Sequence, residues 1–157
     1  MTTDEAARLL EEYGGSIDAE LTLLRQLATV AHDQHQAAAV SDFDSFSRVA
    51  DCRDAIMRSL VTIEAGIRTA RHQLTVHHEL AARIDGYDQV VARHREVADL
   101  VNMILATDQT SIAALADAEP ARRCVMASLE RGENPLASHR RVLSPTVSSA
   151  PLIDKIG

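Results

Sequence analysis

FSRVADCRDAIMRSLVTIEAGIRTARHQL, residues 46–74, decides the fold. At alternating steps of three and four it reads Phe46, Val49, Arg53, Ile56, Leu60, Ile63, Ile67, Ala70, Leu74, and every member but Arg53 is apolar. With about 3.6 residues per turn, that spacing draws one narrow stripe along a helix. Arg48, Asp51, Asp54, Arg58, Glu64, Arg68 and Arg71 fall off the stripe and are expected in water. A long helix with so narrow a seam takes its stability from packing the seam on other helices. Arg53 interrupts it. Either its stem lies along the seam with the head in water, or it pairs with an acid of a facing helix.

Outward from this stretch the pattern repeats. Upstream, Val40-Ser41-Asp42 is a short connection of the kind that joins antiparallel helices. Ser41 or Asp42 caps a helix expected over about 43–78, roughly 54 Å long at 1.5 Å per residue. Before it, Ile17, Leu21, Leu24, Leu27 or Ala28, Ala31 and Ala38 mark a helix over 17–39, with Ser16 as N-cap. A shorter acidic helix over 4–13, capped by Thr3 or Asp4, is expected to stop at Gly14-Gly15, because glycine is costly inside a helix.

Downstream, Asp85-Gly86 is a turn signal. The next helix, 88–118, carries the seam Val90, His94, Val97, Val101, Ile104, Asp108, Ser111, Leu115, Ala118. Asp108 and Ser111 are adjacent polar positions, so this end either is wet, the expectation for Asp108, or faces something other than the bundle core. Pro120 ends or kinks this helix, or opens a new one. A last helix is expected over 121–131, with Val125, Met126 and Leu129 apolar and Gly132 as its stop. The prolines and serines of 133–157 make a mostly disordered tail. The expected fold is all-α: a long antiparallel helical hairpin extended to a three- to four-helix coiled-coil-like bundle within 1–132.

Composition narrows the function. The 157 residues carry a net charge of −7, which argues against a nucleic-acid binder, since phosphate contact needs Lys and Arg. Aromatics are 3% and tryptophan is absent, which suits meshing helices more than an aromatic-lined pocket. The acidic start Met1-Thr2-Thr3-Asp4-Glu5 is no secretory signal, and no apolar run approaches the ~20 residues of a membrane span. The cytoplasm is the simplest compartment.

The chemistry-bearing motifs are missing. Cys52 and Cys124 allow at most one disulfide and match no zinc spacing. Among seven histidines, His32 and His35 share a helix face and His72, His77 and His78 lie on another helix. None has Glu three residues before it, as a di-iron bundle requires. No P-loop, dinucleotide fingerprint or nucleophile elbow is present. We therefore expect no catalytic residue, no metal site and no cofactor. What remains is a surface for other helices, with residues after Asp108 the part least matched to a closed bundle; Val125, Met126 and Leu129 either meet a partner there or fold back on the core.

Leu27-Ala28, His35-Gln36, Val40-Ser41-Asp42-Phe43, Phe46, Leu60 and Ile63-Glu64, followed by Leu100, Ile104-Leu105, Asp108, Ser111 and Leu115, resemble FlgN-type flagellar export chaperones over about 17–131. The family commonly has asparagines near the positions of Asp108 and Ser111, and its last helix often continues where Pro120 interrupts this one. The resemblance implies a cytoplasmic, non-enzymatic chaperone. It would hold amphipathic C-terminal helices of hook-associated proteins, prevent their premature assembly, and meet components of the export apparatus. Carried over by position, the client contacts are Ile104, Leu105, Ile112, Leu115, Val125, Met126 and Leu129. The oligomeric state stays open between monomer and homodimer. The alternatives are a coiled-coil adaptor that dimerises through the 46–74 seam, and a histidine-based metal-binding bundle.

Overall fold

The computed structural model describes residues 1–116 together with Arg123, Met126, Ala127 and 129–131. Among these residues every element is helical. Three long helices, α1 (Thr3–Ala39), α2 (Phe43–Val76) and α4 (Tyr87–Leu115), form an up-down-up bundle, with the single turn α3 (His78–Ala81) between α2 and α4. Arg123, Met126, Ala127 and 129–131 are also helical, within the span expected for a last helix.

The side-chain pairs fix the directions. Tyr13 meets Arg71 and Gln34 meets Arg53, so α1 and α2 run antiparallel. Tyr13 meets His94 and His35 meets Ser111, so α1 and α4 run parallel. α1 packs along both other long helices, whereas the backbones of α2 and α4 seldom approach each other. Long side chains bridge that wider gap.

The α1–α2 turn is built as its residues dictate. Ser41 takes φ +57°, its N–H donates to Ala38 O at 3.1 Å, and the Asp42 N–H donates to Ala37 O at 2.9 Å. These bonds satisfy the last carbonyls of α1. Asp42 then caps α2 by accepting from the Ser45 N–H at 3.1 Å, and the Ser45 side chain, together with that N–H, holds its carboxyl below the usual carboxylate range. At the other connection, Gly86 takes φ +90° at the start of α4, a conformation that favours glycine.

The first two expected helices are one. Gly14-Gly15 does not interrupt α1, and Ser16 is no N-cap: it lies mid-helix, its hydroxyl donating to Glu12 O at 3.0 Å. Capping falls to Thr2, not Thr3 or Asp4. Its side chain accepts from the Glu5 N–H, while the Glu5 carboxylate accepts from the Thr2 N–H. Packing overrides glycine's propensity here. A Cβ on Gly14 would lie 3.3 Å from Val90 Cγ2, so the missing side chain lets α4 approach. The helix expected over 43–78 ends at Val76, with α3 a separate turn, and α4 spans Tyr87–Leu115 where 88–118 was expected. The tail 133–157 and Ala118 lie outside the described residues.

The core follows the seams. Leu21, Leu24, Leu27 and Ala31 of α1 meet Met57, Leu60, Ile67 and Leu74 of α2 and Val90, Val97, Val101 and Ile104 of α4. In α2, Phe46, Arg53, Leu60, Ile67 and Leu74 are fully buried, while Val49, Ile56, Ile63 and Ala70 are half-buried. The row buried beside the first is Met57, Glu64 and Arg71. Two charged residues expected in water therefore lie inside the bundle.

Candidate functional site

Two layers of buried polar groups cross the bundle, one between the main core and the α1–α2 turn and the other within the main core. At the end near the α1–α2 turn, Arg53 is 1% exposed and forks onto Asp108 of α4, which is equally buried. One guanidinium nitrogen bonds Asp108 Oδ1 at 2.7 Å and Gln34 Oε1 at 3.1 Å, and the other bonds Asp108 Oδ2. All three long helices meet in this layer. Asp108 is thus not solvated, and the polar break in the α4 seam is the acid matched to the break in the α2 seam. Ser111, one turn on, donates to Thr107 O at 3.0 Å and lies 3.5 Å from His35 Nδ1.

In the second layer, with Leu10, Leu74, Ala81 and Tyr87 of the main core beyond it, Arg71 forks onto Glu64 of its own helix, with both bonds at 2.7 Å, and donates from Nε to the Tyr13 hydroxyl at 3.2 Å. That hydroxyl lies 3.3 Å from His94 Nδ1. Burial pushes the Tyr13 phenol up, against the pull of the adjacent guanidinium. Burial also disfavours the charge on Arg71, but its bonds to Glu64 outweigh this and hold it protonated. The charged pair of this layer lies within α2, and the Tyr13 hydroxyl is what links it to α1 and α4. Among the described residues, no three His, Cys, Asp or Glu side chains are placed to hold a metal ion.

Beyond the Arg53–Asp108 layer lies a second, small apolar cluster. It consists of Ala37, Ala38, Phe46, Leu115 and Leu129, with Phe43 and Ile112 half-buried against it. α1, α2 and α4 supply three of its walls. The fourth is Leu129, which is 1% exposed although it belongs to the segment after Pro120. Beside it, Arg131 lines a surface groove with Asp51, Asp54, Met57, Arg58, Val61 and Thr62 of α2.

The residues singled out as client contacts separate here. Ile104 and Leu105 are sealed in the main core. Leu115 and Leu129 are buried in the end cluster, with Ile112 half-buried beside them. Met126 is half-buried and Val125 lies outside the described residues. Ala37, Ala38, Phe43 and Phe46 belong to the same cluster and were not anticipated. One signal was available: the chain has two phenylalanines, and both flank the α1–α2 turn. Among the described residues no helix is long and apolar enough to cross a membrane. Compared with family models, curated proteins and solved structures, the chain matches none.

Proposed function

We propose that this chain is a cytoplasmic, non-enzymatic export chaperone of the FlgN kind. In this reading it captures amphipathic C-terminal helices of hook-associated proteins at the end of the bundle nearest the α1–α2 turn. The observation that carries the reading is the end cluster itself. It is an apolar site of three helix ends, set apart from the main core by a buried polar layer and closed by a leucine from outside the long helices. Helix-in-groove capture needs such a site. Each well-buried anchor contributes about 1.5–3 kcal/mol gross, so a few suffice after ordering costs. The client contacts in this proposal are Phe43, Phe46, Ile112 and Leu115. Ile104 and Leu105 drop out, because reaching them would open the main core.

Titration of the full chain with purified hook-associated proteins tests this. Saturable binding is expected, with loss of binding in Ile112→Asp, which keeps its fold because Ile112 is only half-buried. No binding by the parent chain, or unchanged binding by the variant, would remove the proposal.

The adaptor reading has a narrower basis. The fully buried half of the 46–74 seam is taken up within the chain, and of the half-buried row Val49, Ile56, Ile63 and Ala70 the last three also pack against the main core, so a second copy would meet only their exposed edges. Loss of a dimer in Ile63→Asp, seen by sedimentation, would favour it.

A further inference from the structure

The segment that carries Leu129 is built like a ligand. Leu129 is buried, Met126 three residues before it is half-buried, and Arg123, Ala127 and Glu130 are exposed. That is the one-sided pattern of an amphipathic helix lying on a surface. Arg131 lies in a groove with Asp51, Asp54 and Arg58 of α2, where the two acids outnumber the one cation α2 supplies.

We propose that the 126–131 segment is an exchangeable occupant of the end cluster. It covers the site in cis until a partner helix replaces it. The proposal rests on the helix-capture reading above and adds the partner's chemistry. The partner presents a leucine-sized anchor where Leu129 sits, a second apolar residue three positions before it, and a cation two positions after it to face Asp51 and Asp54. Exchange is favoured by how little holds the segment. Among its described residues one side chain, Leu129, is fully buried, and so few residues between Pro120 and Gly132 give a helix little stability of its own. Tethering gives it an effective concentration of the order of millimolar. A longer partner helix with several anchors overcomes that, whereas a weak binder does not, so the cover also filters partners.

The test uses a labelled peptide copying residues 120–132, titrated by fluorescence anisotropy into the full-length chain and its Leu129→Asp and Leu129→Ala variants. Both variants are expected to bind the peptide at least tenfold more tightly than the parent chain, whose own segment competes. A peptide carrying Leu129→Asp should bind none of them. If the variants remain helical and melt cooperatively but do not take up the peptide, the site is not exchangeable and the proposal falls. Equal binding by parent and variants also overturns it. If both variants unfold, Leu129 is a core residue and the proposal falls as well. A parallel titration with C-terminal helix peptides of hook-associated proteins separates the two readings. Uptake of the 120–132 peptide alone leaves the cis cover standing and removes the flagellar clients.

Discussion

The two buried polar layers use the same chemistry in different ways. Each contains an arginine forked onto a carboxylate. In the Arg53 layer the partners sit on different helices, α2 and α4, and Gln34 of α1 joins them. In the Arg71 layer both partners sit on α2, two turns apart, and the neighbouring helices attach through a single phenol, Tyr13. The first layer therefore couples helices whose backbones stay apart, and the second is largely satisfied before the bundle closes. Arg53 fixes which residues of α2 and α4 stand opposite each other. Arg71 makes a charged pair tolerable inside a bundle already held by its leucines.

The largest expected effect follows from that difference. Arg53→Met leaves Asp108 buried without its cation, and breaking a buried pair this way costs about 3–5 kcal/mol. Because stabilities of single domains run about 5–15 kcal/mol, the variant should melt far earlier or fail to fold. Arg53→Met with Asp108→Leu removes both charges and should recover most or all of the loss. Denaturant melts of the single and double variants measure this coupling. If the single change were nearly silent, the Arg53 layer would not be what aligns α2 with α4. Glu64→Gln should cost less than Arg53→Met, because Arg71 retains the Tyr13 hydroxyl and one side-chain acceptor.

A smaller effect is expected at the phenol. Tyr13→Phe removes the acceptor of Arg71 Nε and the partner of His94 Nδ1. Leaving such buried groups unmatched costs about 1–3 kcal/mol each at most. The same variant should alter the alkaline limb of stability. Burial raises the Tyr13 phenol above its ordinary value, so the unfolded chain releases that proton first as pH rises. Stability is then intact below about pH 10 and falls as pH climbs toward the folded value. Tyr13→Phe should lose less than the parent chain over that rise, from a lower starting point. Tyr87, pushed up to about 12 by burial and the adjacent Asp88, keeps part of the limb in both proteins. Thermal melts from pH 8 to 11 read both effects, and an identical limb in the two proteins would place the alkaline loss elsewhere.

What was legible in the sequence differs between these regions for physical reasons. The α4 seam was read correctly from Val90 to Leu115, including His94, Asp108 and Ser111, because position on a helix is set by spacing alone. The burial of Asp108 was not read, since a single helix does not show that the break at Arg53 stands opposite it. Matching two breaks requires the register, and the register is a property of the pair. Glu64 and Arg71 fall off the apolar row Ile56, Ile63, Ala70, and spacing alone assigns charged side chains at such positions to water. The bundle instead buries the adjacent row, whose charges satisfy each other two turns apart. The end cluster was half legible: Leu115 and Leu129 were named as contacts, but Phe46 entered only through the seam and the resemblance, and Phe43 only as the helix start and in the resemblance. The helix break at Gly14-Gly15 was a propensity argument that tertiary contact overruled.

The two glycines provide the smallest and sharpest test, because they sit side by side next to Tyr13. An alanine Cβ at Gly15 meets nothing within 4 Å, so Gly15→Ala adds only helix propensity. It should stabilise by about 0.5–1 kcal/mol. At Gly14 the same change gains the same propensity but places a Cβ 3.3 Å from Val90 Cγ2. Either Val90 gives or α4 moves out by a few tenths of an ångström. Movement of α4 would lengthen the 3.3 Å approach of Tyr13 to His94, because α4 carries His94. Gly14→Ala should therefore fall below Gly15→Ala in stability. The deficit should shrink in a Tyr13→Phe background, where no phenol contact remains to be stretched. A deficit of the same size in both backgrounds would mean that the strain stays at Val90. The Arg71 layer would then be independent of how closely α1 and α4 pack, as its α2-internal pair already suggests for Glu64 and Arg71.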